Sequence, residues 1–329
     1  MIKKCIGCGS VLQDSHPDEI GYVTDLEKEL CERCFKIRHY NHYQTVQKTN
    51  QEYQSILLDI SKTNDLVLLI VELFHISPVI EDILSYLKNN PVLLVMTKRD
   101  VLPKSIYEKR LLDYMDQYSS SFVDKIMISS NKNYQFDLLY EKIKTYQTSF
   151  KVYVVGLTNA GKSTMLNQFM KNYTDFNQCI TTSMQPSTTL DTIEIKIDDT
   201  LTFIDTPGIL DEGNLLNIVP LKMMKKMIPK KEIKPISYQI KGTQYLWVED
   251  ICMISVTNND IIFYISNALK LNRFYKKKDA GKLKCHHFIV EEKTDLVIPG
   301  LGFIKIMKKG TIDVYLDERV KPFIRKSFI

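Results

Sequence analysis

An eight-residue segment near the middle of the chain has the composition and spacing of a phosphate-binding loop. It reads Gly156-Leu157-Thr158-Asn159-Ala160-Gly161-Lys162-Ser163, and this pattern cradles nucleotide phosphates. Backbone N–H groups in such a turn converge on phosphate oxygens, and the lysine brings a positive charge to the β- and γ-phosphates. A buried strand predicted before it and a helix predicted from Lys162 to Lys171 disfavour the alternative, a glycine-rich turn that only packs on a sheet. The predicted phosphate-site residues are Asn159, Ala160, Gly161, Lys162, Ser163 and Thr164.

A second motif, Asp205-Thr206-Pro207-Gly208, follows the apolar run 201–204. An aspartate at the end of a buried strand can hold Mg²⁺ through water, and the N–H of Gly208 can meet a γ-phosphate and respond to its loss. Between the two motifs, the polar segment 186–190 suits a loop that responds to the nucleotide. Such segments are often ordinary loops, so this interpretation depends on the motifs around it. The predicted Mg²⁺ ligands are Ser163, Thr189 and Asp205.

A third motif, Thr97-Lys98-Arg99-Asp100, lies about 60 residues before the phosphate-binding loop and follows the apolar run 91–96. Ligands of open α/β sheets bind at such strand ends. The Asp100 carboxylate can accept two N–H bonds from guanine while the Lys98 stem covers the base, and charge-assisted bonds of about 1.5–3 kcal/mol each favour guanine over adenine. Thr97 stands where an asparagine usually ties this loop to the phosphate-binding loop. After a further predicted strand, Ser129 and Ser130 are candidates for contacting the guanine oxygen.

The order of these motifs along the chain is rotated. The base-reading motif comes first, then the phosphate-binding loop, then Asp205 to Gly208, whereas the phosphate-binding loop normally leads. Rotation is physically possible because the termini of a compact domain often lie close together, wherever the chain is cut. We therefore predict a circularly permuted α/β nucleotide domain in which Gly208 leads directly into the segment that follows.

The start of the chain carries two Cys-x-x-Cys pairs, Cys5 with Cys8 and Cys31 with Cys34. This arrangement is typical of a tetrahedral four-thiolate zinc site. A disulfide framework is the alternative, but cytosolic nucleotide chemistry and the scattered positions of the other cysteines, Cys179, Cys252 and Cys285, disfavour it. Cys285-His286-His287 is discounted as a second metal site, because adjacent ligands without partners are commonly ordinary core or surface residues.

These motifs resemble the YqeH-type circularly permuted GTPases, a family linked to assembly of the small ribosomal subunit. The resemblance covers nearly the whole chain, including Phe35-Lys36-Ile37-Arg38-His39-Tyr40-Asn41 after the cysteines, Asn272-Arg273-Phe274-Tyr275, and the turn Leu301-Gly302-Phe303. It implies an α/β fold with a zinc module at 1–48, a permuted P-loop GTPase domain at 49–210, and a connector with a C-terminal α+β domain at 211–329 that binds RNA or protein. It also implies GTP or GDP, Mg²⁺ and Zn²⁺ as ligands. The implied partner is the small (30S) ribosomal subunit or its precursor, with its rRNA.

The residues expected to help hydrolysis depart from the commonest pattern. Many GTPases place a glutamine directly after the glycine that corresponds to Gly208, but Ile209 and Leu210 occupy that region and cannot orient a water molecule. Asn159 matches the asparagine that binds a monovalent cation in related potassium-dependent GTPases. We therefore expect K⁺ at Asn159 and slow intrinsic hydrolysis that K⁺ and the partner accelerate. The expected catalytic residues are Lys162, Asn159, Thr189 and Gly208.

Composition and charge limit the remaining possibilities. The 329 residues, 44% hydrophobic and 25% charged, suffice for two domains and a small metal module. No apolar run approaches twenty residues and a zinc ligand is predicted at position 5, so we expect a cytoplasmic monomer with no membrane contact. The net charge of +5 is uneven, since residues 209–329 carry 22 Lys and Arg against 13 Asp and Glu. This excess favours a surface that faces RNA, with a solvated charged face as the alternative.

The last third of the chain predicts short strands, among them one strand over residues 244–256, and a helix near residues 266–278. Three functions stay open at this point. GTP hydrolysis could time the release of an assembly factor from a ribosomal precursor. The protein could instead be a GTP-dependent RNA- or protein-binding module whose hydrolysis is incidental. A GTPase of tRNA modification or metal delivery is the third, because the zinc module does not identify its partner.

Overall fold

A computed structural model describes residues 3–5, 10–17, 21–32, 47–48, 50–119, 122–174 and 192–329. The chain divides into two compact units. Unit 1 comprises Met1–Arg99 and Met115–Leu210, and unit 2 comprises Asp100–Tyr114 and Asp211–Ile329. Among the described residues, none of the helices is both long enough and apolar enough to cross a membrane.

The described α-helices are short to medium in length. In chain order they are α1 (Asn50–Ile60), α2 (Val79–Tyr86), α3 (Glu108–Tyr114), α4 (Phe136–Tyr146), α5 (Lys162–Tyr173) and α6 (Leu221–Met227).

The strands before residue 210 are β1 (Gln47–Lys48), β2 (Leu66–Glu72), β3 (Val92–Thr97), β4 (Phe122–Met127), β5 (Lys151–Gly156), β6 (Ile193–Asp198), β7 (Leu201–Asp205) and β8 (Gly208–Ile209). The later strands are β9 (Ile236–Gln239), β10 (Thr243–Val248), β11 (Cys252–Thr257), β12 (Asp260–Ile265), β13 (Leu271–Phe274), β14 (Lys284–Val290), β15 (Thr294–Ile298), β16 (Gly302–Ile306), β17 (Gly310–Leu316) and β18 (Phe323–Lys326).

Unit 1 is built on a six-stranded sheet with the strand order β4-β3-β2-β5-β7-β6. All neighbouring strands are parallel except β6, which runs antiparallel to β7. The central strands β2 and β3 are buried along almost their whole length, as expected of parallel strands covered on both faces. Their carboxyl ends, together with those of β5 and β7, therefore carry the three motifs at one edge of the sheet. The strands predicted for this region are confirmed.

The described residues of the N-terminal segment form a small core of their own. Cys5, Leu12, Val23 and Cys31 are all buried and pack together. The backbone is held by isolated bridges, with Lys4 opposite Val11 and residue 13 opposite residue 22. The described residues thus contribute only a few side chains to this core, and small segments of this kind commonly depend on a metal or disulfide.

Unit 2 contains two five-stranded antiparallel sheets. Sheet I has the order β13-β10-β11-β17-β14, and sheet II has the order β18-β15-β16-β12-β9. Leu246, Ile254 and Val314 from sheet I share one buried cluster with Phe263 and Ile304 from sheet II. The two sheets therefore pack face to face as a β-sandwich, which makes the C-terminal region β-rich.

A segment from the first half of the chain, residues 100–114, belongs to unit 2. Its Val101 carbonyl accepts a hydrogen bond from the N–H of Ile233 at 2.9 Å. At its other end, the Tyr114 hydroxyl donates to the Lys326 carbonyl at 3.0 Å, and the Tyr114 ring meets the Phe328 ring edge-on at 5.1 Å between centroids. The residues that follow the base-reading motif are thus anchored to the C-terminal strands, which the sequence did not predict.

Two elements predicted for the C-terminal region are wrong. The helix near residues 266–278 is instead a turn, fixed by Asn267 whose side-chain amide bonds both backbone groups of Lys234, followed by β13. Pairing of β13 with β10 gives these residues hydrogen bonds that outweigh their helix propensity. The single strand over 244–256 is a hairpin, because the chain turns between β10 and β11 at Glu249, which has a left-handed φ of 47°.

Candidate nucleotide-binding site

The phosphate-binding loop begins where β5 passes very close to β2. Gly156 is paired with Ile70, and a Cβ built on Gly156 would lie 2.4 Å from the Ile70 carbonyl oxygen. No side chain fits in that space without displacing backbone. The first glycine of the motif is therefore required by the sheet itself.

The loop then turns through left-handed residues into α5. Asn159 has a φ of 65° and is exposed, whereas Ala160 is 3% exposed. Gly161 precedes the helix with a φ of 98°, without a side-chain cap. Uncapped backbone N–H groups at a helix N-terminus are suited to binding an anion. Ser163 is half-buried and Thr164 exposed in the first turn of that helix.

The side chain of Lys162 lies inside the protein at the centre of the loop. It is 3% exposed, and its Nζ donates a hydrogen bond to the Gly156 carbonyl at 2.9 Å. Burial lowers the pKa of Lys162 to about 8, although the negative charge of Asp205 acts in the opposite direction. A buried ammonium with one carboxylate nearby gains strongly from an additional anion, which a nucleotide phosphate would supply.

The motif Asp205 to Gly208 is tied directly to the phosphate-binding loop. Both the N–H and the hydroxyl of Thr158 donate to the Ile209 carbonyl, at 2.8 and 2.9 Å. A Cβ on Gly208 would lie 3.0 Å from the Thr158 hydroxyl oxygen and 3.3 Å from Lys162 Nζ. Gly208 therefore lies beside the lysine that is predicted to touch the terminal phosphates. The sequence did not single out Thr158.

Residues from near the start of the chain also reach this motif. Strand β1 pairs in parallel with β8, with Gln47 opposite Gly208. From α1, Tyr53 is 2% exposed and lies against the Thr206 side chain and the Gly156 backbone, and burial raises the pKa of its phenol. Asp205, 3% exposed, ends β7 at this point. Sequence analysis missed Tyr53 because nothing local marks a core tyrosine as a neighbour of the site.

Thr97 bonds to the phosphate-binding loop, as the asparagine that is usual at this position would. Its hydroxyl donates to the Ala160 carbonyl at 2.5 Å, and the side chain is 2% exposed. A Cβ on Gly161 would lie 3.2 Å from the same hydroxyl oxygen. Although position 97 holds threonine and not asparagine, the link between the predicted base-reading loop and the phosphate-binding loop is therefore kept.

The other residues predicted to read the base lie in neighbouring loops. Lys98 has a left-handed φ of 63°, and its Nζ forms an ion pair with Glu72 at 2.8 Å. Ser129 is 1% exposed and its hydroxyl accepts a hydrogen bond from the Lys132 N–H at 3.2 Å, which shapes the loop that includes Ser130. Asp100 is half-buried in the 3-10 turn Arg99–Val101.

Part of the predicted metal chemistry lies outside the described residues. This applies to Thr189, Cys8 and Cys34. Of the other two cysteines, the N–H of Cys31 donates to the Cys5 sulfur at 3.2 Å, and both are buried. Within the described parts of the chain, no cluster of three or more His, Cys, Asp or Glu side chains is placed to hold a metal ion.

The fold and site define a P-loop GTPase domain in a mixed α/β protein. Residues 151–267 match the family model described as a 50S ribosome-binding GTPase. Over 361 aligned positions the chain is 33% identical to the uncharacterized protein YqeH of Bacillus subtilis, and the alignment covers 99% of each chain. The chain therefore belongs to the YqeH family.

More distant relatives are similar over smaller regions. NO-associated protein 1 of Arabidopsis thaliana is 24% identical over 72% of this chain and 48% of its own length. The tRNA modification GTPase MnmE of Thermoanaerobacter is 25% identical over 52% of this chain and 34% of its own.

Proposed function

We propose that the protein binds GTP and hydrolyses it to GDP and phosphate as a switch in assembly of the small ribosomal subunit. The observation that carries the nucleotide part is the buried Lys162 ammonium beside Gly208, in a loop tied to Thr97 of the base-reading motif. This arrangement joins a phosphate-binding charge, a residue positioned to respond to the γ-phosphate, and the start of a guanine reader. Thr97, Lys98, Asp100, Ser129 and Ser130 would bind the base.

Circular permutation is part of this proposal. The phosphate-binding strand β5 comes later in the chain than β3, which carries the base reader, yet the sheet order places β2 between them. These parallel strands end at the same edge of one sheet, so the two motifs can share one site although the base reader comes first in the chain, which supports a rotated connection. The proposed boundaries are a zinc module at 1–48, the GTPase domain at 49–210, and the connector with the C-terminal domain at 211–329.

Mg²⁺ and K⁺ are the proposed ions at the phosphates. Asp205 and Ser163 supply the hard oxygen ligands that Mg²⁺ prefers, with Thr189 as a third, and Mg²⁺ would neutralise charge on the β- and γ-phosphates. K⁺ would lie at Asn159, whose exposed left-handed position leaves its amide oxygen available. Hydrolysis should be slower in Na⁺ than in K⁺, and Asn159→Ala should abolish that difference. Equal rates in both salts for the unaltered protein would remove the K⁺ assignment.

The four cysteines of the N-terminal segment are the proposed zinc ligands. Support comes from Cys5 and Cys31, which are both buried and lie in contact in the small N-terminal core. Metal analysis of purified protein should give one zinc per chain, since structural zinc contributes about 10–16 kcal/mol to small modules. Cys31→Ser should release the metal while GTP binding persists, and Cys252→Ser, a buried cysteine of unit 2, serves as the control. Metal-free wild-type protein with an intact N-terminal segment would contradict the assignment.

The ribosomal part of the proposal is tested by adding purified subunits to the GTPase assay. The resemblance to the YqeH type points to the small subunit, whereas the description of the matched family model names the large (50S) subunit. Both subunits are therefore included in the assay. Stimulation by 30S particles alone supports the proposed switch, and stimulation by 50S particles alone moves it to the large subunit. Binding of 30S particles without any change in hydrolysis would favour the module with incidental hydrolysis. Stimulation by tRNA alone would favour a role like that in the name of MnmE.

A further inference from the structure

The outer face of sheet I in unit 2 carries aromatic side chains on three strands. Residues directly opposite in antiparallel strands share a face, and Phe274 is opposite Tyr245. Their neighbour Trp247 is opposite Met253, which is in turn opposite Tyr315. Residues between them point the other way into the core. We call the set Tyr245, Trp247, Phe274 and Tyr315 the aromatic face.

The aromatic face is an organised surface rather than scattered rings. Met253 is 0% exposed although it points away from the sandwich core, because Trp247 and Tyr315 flank it in the sheet. The four aromatic residues are each half-buried. Neighbouring strands lie about 4.8 Å apart, so the rings together span a width that several stacked bases require.

Cations lie directly over these rings. Lys278 Nζ is 3.6 Å from the centroid of the Phe274 ring, and Lys277 Nζ is 5.0 Å from that of Tyr315. Both lysines are exposed and flexible enough to exchange the ring for another partner. An arriving flat base can take the ring face while the displaced ammonium moves to a phosphate.

The charge around the aromatic face is strongly one-sided. Residues 270–290 contain seven Lys and Arg and only one acidic residue, Asp279. Another acidic residue on this face, Asp313, is hydrogen-bonded to a histidine: its carboxylate lies 2.6 Å from His287 Nδ1. An acidic peptide would match the charge but would leave the aromatic rings unused. Single-stranded RNA matches both, because its phosphates pair with lysines and every base has a face to stack.

We propose that the aromatic face binds unpaired RNA by base stacking, with Lys276, Lys277 and Lys278 holding the phosphates. The proposal deepens the proposed ribosomal function and rests on it for the identity of the RNA. Unpaired segments are preferred because the bases of a double helix stack on one another and present only edges.

The test is binding of the full-length protein to fluorescent 12-nucleotide RNAs, single-stranded or paired with a complement, at several salt concentrations. The single strand should bind at least tenfold more tightly than the duplex. Replacing Lys277 and Lys278 together by alanine should weaken binding and reduce the slope of log affinity against log salt by about 1.4, at roughly 0.7 per phosphate contact. The matched control replaces Lys308 and Lys309, which form ion pairs with Asp260 and Glu291, and should change little.

Stacking is tested separately from charge. Tyr315→Leu and Phe274→Leu keep an apolar side chain but remove the ring, so each should weaken binding roughly 5- to 100-fold without changing the salt slope. The control is Tyr107→Leu, an 82% exposed tyrosine outside this sheet. Thermal unfolding of each variant verifies that the sheet is intact. Leucine variants that fold and bind like the wild type, or duplex bound as tightly as single strand, would overturn the proposal, and a face that captures only an acidic peptide would replace RNA with protein as its occupant.

The two levels of the proposal fail in different ways. If oligonucleotides bind through the aromatic face but neither subunit changes GTP hydrolysis, the RNA-binding surface is supported and the ribosomal switch is contradicted. If 30S particles stimulate hydrolysis equally in wild type and leucine variants, the ribosomal switch is supported, but the aromatic face is not the surface that contacts the ribosomal RNA.

Discussion

The candidate binding residues of unit 1 lie at the ends of strands, whereas those of unit 2 lie on the face of a sheet. In unit 1, Thr97, Gly156 and Asp205 lie at the ends of parallel strands, where backbone groups and a few side chains converge. In unit 2, the aromatic face uses the flat side of antiparallel strands. A strand-end site depends on tight local geometry, so a single substitution should destroy it. A face site spreads its contacts over several strands, so each substitution should remove only a part.

The largest effect is expected for Lys162→Ala. Loss of the buried ammonium removes the positive charge that is predicted to meet the phosphates, and charge-assisted contacts of this kind together account for roughly 100-fold or more in affinity. GTP affinity is measured by titration of the nucleotide-free protein. Lys171→Ala, an exposed lysine near the other end of the same helix, is the matched control. Near-normal GTP binding by Lys162→Ala would show that the phosphate site lies elsewhere.

Gly156→Ala tests the intolerance of a strand end to one methyl group. The new Cβ would lie 2.4 Å from the Ile70 carbonyl oxygen, so the free energy of unfolding of unit 1 should fall by about 2–3 kcal/mol. Gly310→Ala is the comparison in the antiparallel unit, where the nearest atom to a Cβ is 3.8 Å away. That change should stay within about 0.5 kcal/mol. Equal effects in denaturant unfolding would contradict the proposed difference between the two regions.

The pH dependence of nucleotide binding follows from the lowered pKa of Lys162. In the nucleotide-free protein this lysine loses its proton near pH 8, whereas bound phosphates would keep it charged. GTP affinity should therefore fall about tenfold between pH 8 and pH 9.5, and binding at pH 8.5 should take up about three quarters of a proton. Calorimetry in buffers of different ionisation enthalpy measures that uptake directly. Binding without proton uptake would mean that Lys162 does not meet the phosphates.

The lowered pKa of Lys162 also makes the stability of the protein depend on pH. Stability should rise with pH, whereas GTP affinity should fall. The pKa of Lys162 is lower in the folded chain than its ordinary value of 10.5, so the unfolded chain holds the proton over a range in which the folded chain has lost it. The nucleotide-free protein should therefore become more stable as the pH rises from about 8 toward 10.5.

Thr97→Val should have the smallest effect, because it removes one hydrogen bond and keeps the shape. The Ala160 carbonyl loses its donor, and a cost of about 1 kcal/mol corresponds to roughly fivefold weaker GTP binding. Thr145→Val is the control, since that hydroxyl bonds a carbonyl on the exposed side of α4. An unchanged affinity would mean that the link between the two loops does not position the nucleotide.

Sequence reasoning predicted the strands and turns that carry the strand-end motifs, because the residues of these segments are contiguous and chemically constrained. Gly156 to Ser163 and Asp205 to Gly208 specify their own backbone geometry, and the buried strands before them are continuous apolar runs. The contacts made by Thr158 and Tyr53 could not be found this way. They join residues far apart in the sequence, and neither residue type is distinctive.

Sequence reasoning failed mostly in the antiparallel unit. The chain after Ser266 was predicted to be a helix from local composition, but pairing with β10 decided its structure. The aromatic face could not be predicted because its members come from strands up to 70 positions apart, and only the register shows that they share a side. A face site becomes visible only after the strands are paired.

Asp100→Asn shows whether the rotated chain still builds one guanine-nucleotide site. The amide reverses one donor–acceptor relation with the base, so GTP affinity should fall roughly 100-fold while xanthosine triphosphate becomes the preferred ligand. Asp199→Asn, at an exposed aspartate that pairs with Lys196, should leave both affinities unchanged. If Asp100→Asn binds GTP as tightly as the wild type and gains nothing for the xanthine nucleotide, Asp100 does not read the base and the rotated motifs do not form the proposed guanine site.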